Sequence, residues 1–160
     1  VQTCALPISE AFCRIIPNLH QATVFGSRFG VRGGVRSLAV KIPKSEERES
    51  EQIYIDAVDD ALRHLFDLAP DILLYQAGMD PHVSDPKSTL RLSTETLTRR
   101  DRWVIRACLR VGIPLVVILA GAYQKIEDIV RLYGNTLQEA WIAVNETTVR
   151  ASPGSLAISS

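Results

Sequence analysis

Two short apolar runs, Asp71–Gln76 and Leu115–Leu119, constrain this chain more than any other feature. Both are too short for a helix, and each follows an amphipathic segment. Such a run reads as a strand buried on both faces of a parallel sheet. Ahead of the first run, Tyr54, Val58, Ala61, Leu62 and Leu65 share one helical face. That spacing predicts a helix over 49–68, stopped by Pro70. Between the runs, Leu97, Val104, Cys108 and Val111 form a stripe, which predicts a helix over 94–111. Gly112 is placed to cap it, with Pro114 just beyond. A third strand is expected at 37–42, ended by Pro43. A last helix is expected over 126–144, interrupted near Gly134-Asn135. Residues 9–36 carry no clear pattern. Alternation of strand and helix predicts an α/β fold: three layers, α/β/α, around a mainly parallel sheet. The three strands are expected to be neighbours in that sheet, with helices on both faces.

Composition narrows the function classes. Eighteen Lys+Arg balance eighteen Asp+Glu. A nucleic-acid or polybasic membrane binder would carry a basic excess, so neither partner is expected. The longest apolar run, Ile113–Ala120, is far short of a membrane span and includes a proline. Cys4, Cys13 and Cys108 form no CxxC pair, and no signal-peptide pattern opens the chain. A reducing cytoplasm is therefore the expected compartment. The only methionine is Met79, and Val1–Ile8 resembles the translation of a sequencing-library adapter. Residues 1–9 are accordingly expected to be a non-native artefact, with native sequence missing upstream.

In parallel α/β sheets, ligands bind beyond the carboxyl ends of the strands. Gln76–His82 and Ala120–Tyr123 leave two such ends. Asp80 and Tyr123 should therefore share one sheet edge. A carboxylate can ligate a metal, and a phenol can donate to a developing oxyanion. That pair suits metal-assisted hydrolysis of an amide; the plainer reading is an Asp-Pro turn and a packed tyrosine. Arginines 99, 100, 102, 106 and 110 spread around their helix and read as a solvated face. His64 reads as a surface residue, and His82 as a loop histidine. Neither GxGxxG nor GxxxxGK[ST] occurs, which weakens a nucleotide-binding reading.

Pro70-Asp71-Ile72-Leu73-Leu74-Tyr75-Gln76-Ala77-Gly78-Met79-Asp80-Pro81 resembles a signature of the histone deacetylase family. So do Asp85-Pro86, Leu92-Ser93, Arg99-Arg100-Asp101, Gly112-Ile113-Pro114 and Gly121-Ala122-Tyr123, from about Ser37 to Ala140. The resemblance implies an arginase/deacetylase fold and a catalytic Zn2+ held by two aspartates and a histidine. By resemblance Asp80 is one aspartate ligand, and Tyr123 is the hydroxyl that polarises the substrate carbonyl. Gly121 belongs to the substrate-binding glycine run, and Phe25 matches a phenylalanine of the acyl-lysine tunnel. Asn18-Leu19-His20 would then lie near a monovalent-cation site. The substrate implied is acetylated lysine or a small acetyl-amine.

The sequence also departs from that pattern. The family's Asp-x-His motif and its paired histidines are absent, and Asn18-Leu19-His20-Gln21 has Asn where a carboxylate is needed. The glycine run reads Ala120-Gly121-Ala122. Residues 10–147 are thus expected to be the C-terminal part of a deacetylase-like domain, and 148–160 a loosely ordered tail. The isolated chain is expected to be inactive. The alternatives are a non-catalytic deacetylase-like protein and a nucleotide-binding α/β module.

Overall fold

The computed structural model describes residues 15–26, 36–43 and 47–151. Strands β1 (Gln21–Phe25) and β2 (Ser37–Lys41) precede helix α1 (Glu47–Phe66). Strand β3 (Leu73–Gln76), helix α2 (Thr94–Val111), strand β4 (Leu115–Ile118) and helix α3 (Ile126–Ala151) follow. The elements expected at 37–42, 49–68, 71–76, 94–111 and 115–119 are all present, within a few residues. Residues 1–14, and so the adapter-like opening, lie outside the described residues, as do residues 152–160 of the expected tail.

The pairing differs from expectation. Strand β2 does not join β3 among the described residues. It pairs in parallel with β1, while β3 pairs in parallel with β4. Alternation fixes the parallel sense of the strands but not which ones adjoin. Strand β1 was hidden because its run is five residues long and sits in a stretch without helical periodicity. Thr23, Val24 and Phe25 are nevertheless buried, as β-branched and aromatic residues favour.

Helix α1 packs against β1, β2 and α2, and α2 packs against α3 and β4. The stripe read from sequence faces inward: Tyr54, Val58, Ala61 and Leu62 are buried with Leu73, Tyr75, Leu97, Val104 and Cys108. In the β3–β4 pair, Leu73 and Tyr75 face this core, while Leu74, Val116 and Ile118 are exposed. The described helices thus cover one face of this pair, not both. Helix α2 starts at Ser93, whose side chain accepts from Thr96 N at 3.2 Å. It ends at Gly112, whose φ of 74° lies in the left-handed region. Helix α3 runs unbroken through Gly134 and extends past Val144 to Ala151. A helical glycine costs about 1 kcal/mol; buried Leu132, Thr136, Glu139 and Ala143 hold the inner face of α3 on both sides of it. No helix among the described residues is long and apolar enough to cross a membrane.

Candidate functional site

The β3–β4 ladder continues past its last paired residues. Ala77 N donates to Ile118 O at 2.9 Å, and then both Met79 N and Asp80 N donate to Gly121 O, at 2.5 and 2.7 Å. One carbonyl thus ties the loop bearing Asp80 to the loop bearing Tyr123. Gly121 adopts φ 76°, a left-handed conformation that glycine reaches without the cost a Cβ imposes. The two loops leave the ends of neighbouring parallel strands, on one edge of the pair.

Asp80 is 6 % exposed, and its Oδ1 atom has no hydrogen-bond partner. Burial pushes its carboxyl up to about 7. A desolvated carboxylate with an orphaned oxygen lacks a positive partner or a proton. His82, two residues on, is different. Its Nδ1 accepts from Ser84 N at 3.1 Å, so Nε2 carries the proton and donates to Thr94 Oγ1 at 2.9 Å. Burial also holds the imidazolium of His82 below the usual histidine range. Both ring nitrogens are engaged in holding the loop.

Tyr123 is partly exposed, and its backbone N donates to Asp85 Oδ2 at 2.8 Å. The Lys87 ammonium stands 3.6 Å from the centroid of its ring. Gln124 is buried beside it and donates to Met79 O at 3.3 Å, a further tie between the loops. Ala122, which departs from the glycine pattern, packs against the core, so its methyl is accommodated.

Phe25 is buried at the end of β1, and Ile42 N donates to its carbonyl at 2.8 Å. The next residue, Gly26, lies against Thr89 and Leu90, so closely that a Cβ there would overlap Thr89 Oγ1. The end of β1 therefore abuts the long loop that carries Asp80. Asn18, with φ 65°, turns the chain into β1, and His20 is exposed. Among the described residues, no three His, Cys, Asp or Glu side chains group as a metal site would require.

The solvated-face reading of the α2 arginines fails at Arg100, which is fully buried. It donates through Nη1 to Gly78 O at 2.8 Å and to Tyr54 Oη at 3.3 Å, and through Nε to Asp101 Oδ1 at 2.8 Å. Asp101 also accepts from Tyr75 and, at 2.6 Å, from Thr136. Burial works against the Arg100 charge, but Asp101 raises its guanidinium well above the ordinary value. This network joins α1, β3, α2 and α3 to the backbone two residues before Asp80. Arg102 keeps the expected exposed position and pairs with Glu139 through both oxygens, at 2.8 Å each. Arg100, Asp101 and Asp85 are the site-supporting residues that motif reasoning did not assign. Their one sequence signal was membership of the runs Arg99-Arg100-Asp101 and Asp85-Pro86.

Residues 18–140 match the histone deacetylase domain. The chain belongs to the histone deacetylase family. Over 72 residues it is 40 % identical to an uncharacterized protein of Picosynechococcus sp., covering 42 % of this chain and 24 % of that protein. It is 34 % identical over 73 residues to histone deacetylase 2 of Arabidopsis thaliana, covering 45 % and 19 %. It is 35 % identical over 74 residues to acetylpolyamine amidohydrolase of Burkholderia pseudomallei, covering 46 % and 20 %. The match thus spans about a quarter or less of each relative's length. The crystal structure of acetylpolyamine aminohydrolase from Burkholderia pseudomallei superposes with a TM-score of 0.63 at 24 % identity, covering 76 % of this chain and 37 % of that one. The α/β arrangement of this family member is therefore part of an arginase/deacetylase fold.

Proposed function

We propose that this sequence is the C-terminal part of a zinc-dependent deacetylase-like amidohydrolase that removes acetyl or other acyl groups from lysine or small amines. The observation that carries this reading is the buried, unpartnered Asp80 oxygen on a loop bonded to the Tyr123 loop. Metal ligation would satisfy that oxygen and offset its desolvation. Asp80 fits one position of a zinc site, and the described residues offer no second and third ligand grouped with it. Zinc, when bound, supplies a Lewis acid and lowers the pKa of bound water. The Tyr123 hydroxyl would donate a hydrogen bond to the acyl carbonyl oxygen as it becomes an oxyanion. His82 is excluded as the proton acceptor, because both its nitrogens are engaged within the loop. The remaining ligands and the general base would come from another part of a longer polypeptide. The balanced charge favours a small or protein-borne acyl-amine substrate over nucleic acid, with the cytoplasm as the working compartment.

Calorimetric zinc titration and an acetyl-lysine reporter assay on the 160-residue chain test the incomplete site; weak zinc binding and no turnover are expected. Stoichiometric zinc with turnover would refute the incompleteness. In a polypeptide extended upstream, Asp80→Ala should lose metal, while Tyr123→Phe should keep metal and lose turnover. An extended Tyr123→Phe protein of undiminished activity would defeat the assigned chemistry.

A further inference from the structure

We propose that Lys87 is a positioning residue for Tyr123, its ammonium holding the phenol ring in place and strengthening the hydroxyl as a hydrogen-bond donor. Asp85 and Lys87 belong to one turn. Asp85 is 1 % exposed; its Oδ1 accepts from Lys87 N at 2.7 Å and its Oδ2 accepts from Tyr123 N at 2.8 Å. One buried carboxylate therefore fixes the Lys87 backbone against the Tyr123 backbone. Pro86, between them, has a fixed φ and no N–H of its own to satisfy. From this anchor the Lys87 side chain reaches over the ring, with Nζ 3.6 Å from its centroid.

A cation over an aromatic face meets the negative side of the ring quadrupole and is attracted to it. The same field favours negative charge on the phenolic oxygen, so its proton is held less tightly. A less tightly held proton makes a stronger hydrogen bond to an oxyanion. Lys87 and Asp85 are the charged groups in described contact with Tyr123. The Asp85 carboxylate accepts from two backbone N–H groups and lies at the Tyr123 backbone, whereas the ammonium lies over the ring itself. The benefit to catalysis rests on the reading of Tyr123 as oxyanion donor; the effect on the phenol does not.

The test uses the 160-residue chain with 13Cζ-labelled tyrosine, which gives four signals for its four tyrosines. Tyr123 is identified by its loss in Tyr123→Phe. In Lys87→Met the Tyr123 titration midpoint should rise by about half a pH unit, the size expected for a unit charge about 5 Å away in water. Lys87→Arg, whose charge persists through the titration, should keep the midpoint at or below that of the unaltered chain. Unchanged Tyr54, Tyr75 and Tyr133 signals establish that the fold is retained. An unchanged or lowered midpoint in Lys87→Met would overturn the proposal, whatever the reporter assay shows for Tyr123→Phe.

Discussion

Replacing Arg100 by Met removes the hub of the buried network while keeping an unbranched apolar stem in its place. The guanidinium reaches Asp101, Gly78 O and Tyr54 Oη within 3.3 Å, and neither Arg100 nor Asp101 is more than 1 % exposed. Its loss leaves the Asp101 carboxylate with the Tyr75 and Thr136 hydroxyls as its described partners, and leaves Gly78 O without its described donor. Removing one partner of a buried ion pair typically costs about 3–5 kcal/mol. Domain stabilities are on the order of 5–15 kcal/mol, so Arg100→Met should remove a large part of the total. With a urea slope of about 2 kcal/mol per molar, the unfolding midpoint should fall by roughly 2 M. Asp101→Asn in the same background withdraws the stranded charge. The double variant Arg100→Met/Asp101→Asn should therefore be less destabilised than the sum of the singles, with a coupling above about 1.5 kcal/mol. Urea denaturation followed by circular dichroism measures all four corners of this cycle. A single-variant loss below about 1 kcal/mol, or strict additivity, would refute the role assigned to the network.

Two further outcomes follow from the same geometry. The Asp80 carboxyl, raised to about 7 by burial, binds its proton more tightly folded than unfolded. Its contribution to stability is therefore full below pH 4 and declines as pH rises through 7. Asp80→Asn abolishes that titration, so its stability relative to the unaltered chain should rise by on the order of 2–3 kcal/mol between pH 5 and pH 8. Urea midpoints at the two pH values check this, and a constant difference would contradict it. Leu74 and Val116 stand opposite one another on the exposed face of the β3–β4 pair. Leu74→Thr/Val116→Thr should keep β propensity and reduce self-association, read by light scattering against concentration.

Much of the fold was legible because the decisive elements are strongly patterned. The helix over 94–111 carries both of its terminal signals, Ser93 before it and Gly112 after it, and its bounds were read correctly. Strand β1 was missed because five residues in an irregular, Arg- and Gly-containing stretch show no period. Which strands adjoin could not be read at all, since parallel crossovers of similar length allow several orders. Arg100 was misread for a related reason. Five arginines distributed around one helix look alike in sequence, and only the presence of Asp101, Tyr75 and Tyr54 around one of them distinguishes it. The shared edge of the Asp80 and Tyr123 loops, by contrast, was legible, because loops after the strands of one parallel sheet emerge on the same edge whichever strands adjoin.

The two halves of the site are supported in different ways, and the difference has a physical origin. The Asp80 loop is held from below: Arg100 grips Gly78 O, and the guanidinium is itself fixed by Asp101 between two helices and a strand. The Tyr123 loop is held from the side, by Asp85 at its backbone and Lys87 at its ring. Gly121 O, accepting from Met79 and Asp80, joins the two. A group that must receive a metal benefits from rigid placement, since displacement by even 1 Å weakens ligation and lets water compete. A group that donates to a developing oxyanion benefits from a held backbone and a held ring. Under the proposed function, the buried ion pair beneath the carboxylate and the exposed cation over the phenol meet these two demands.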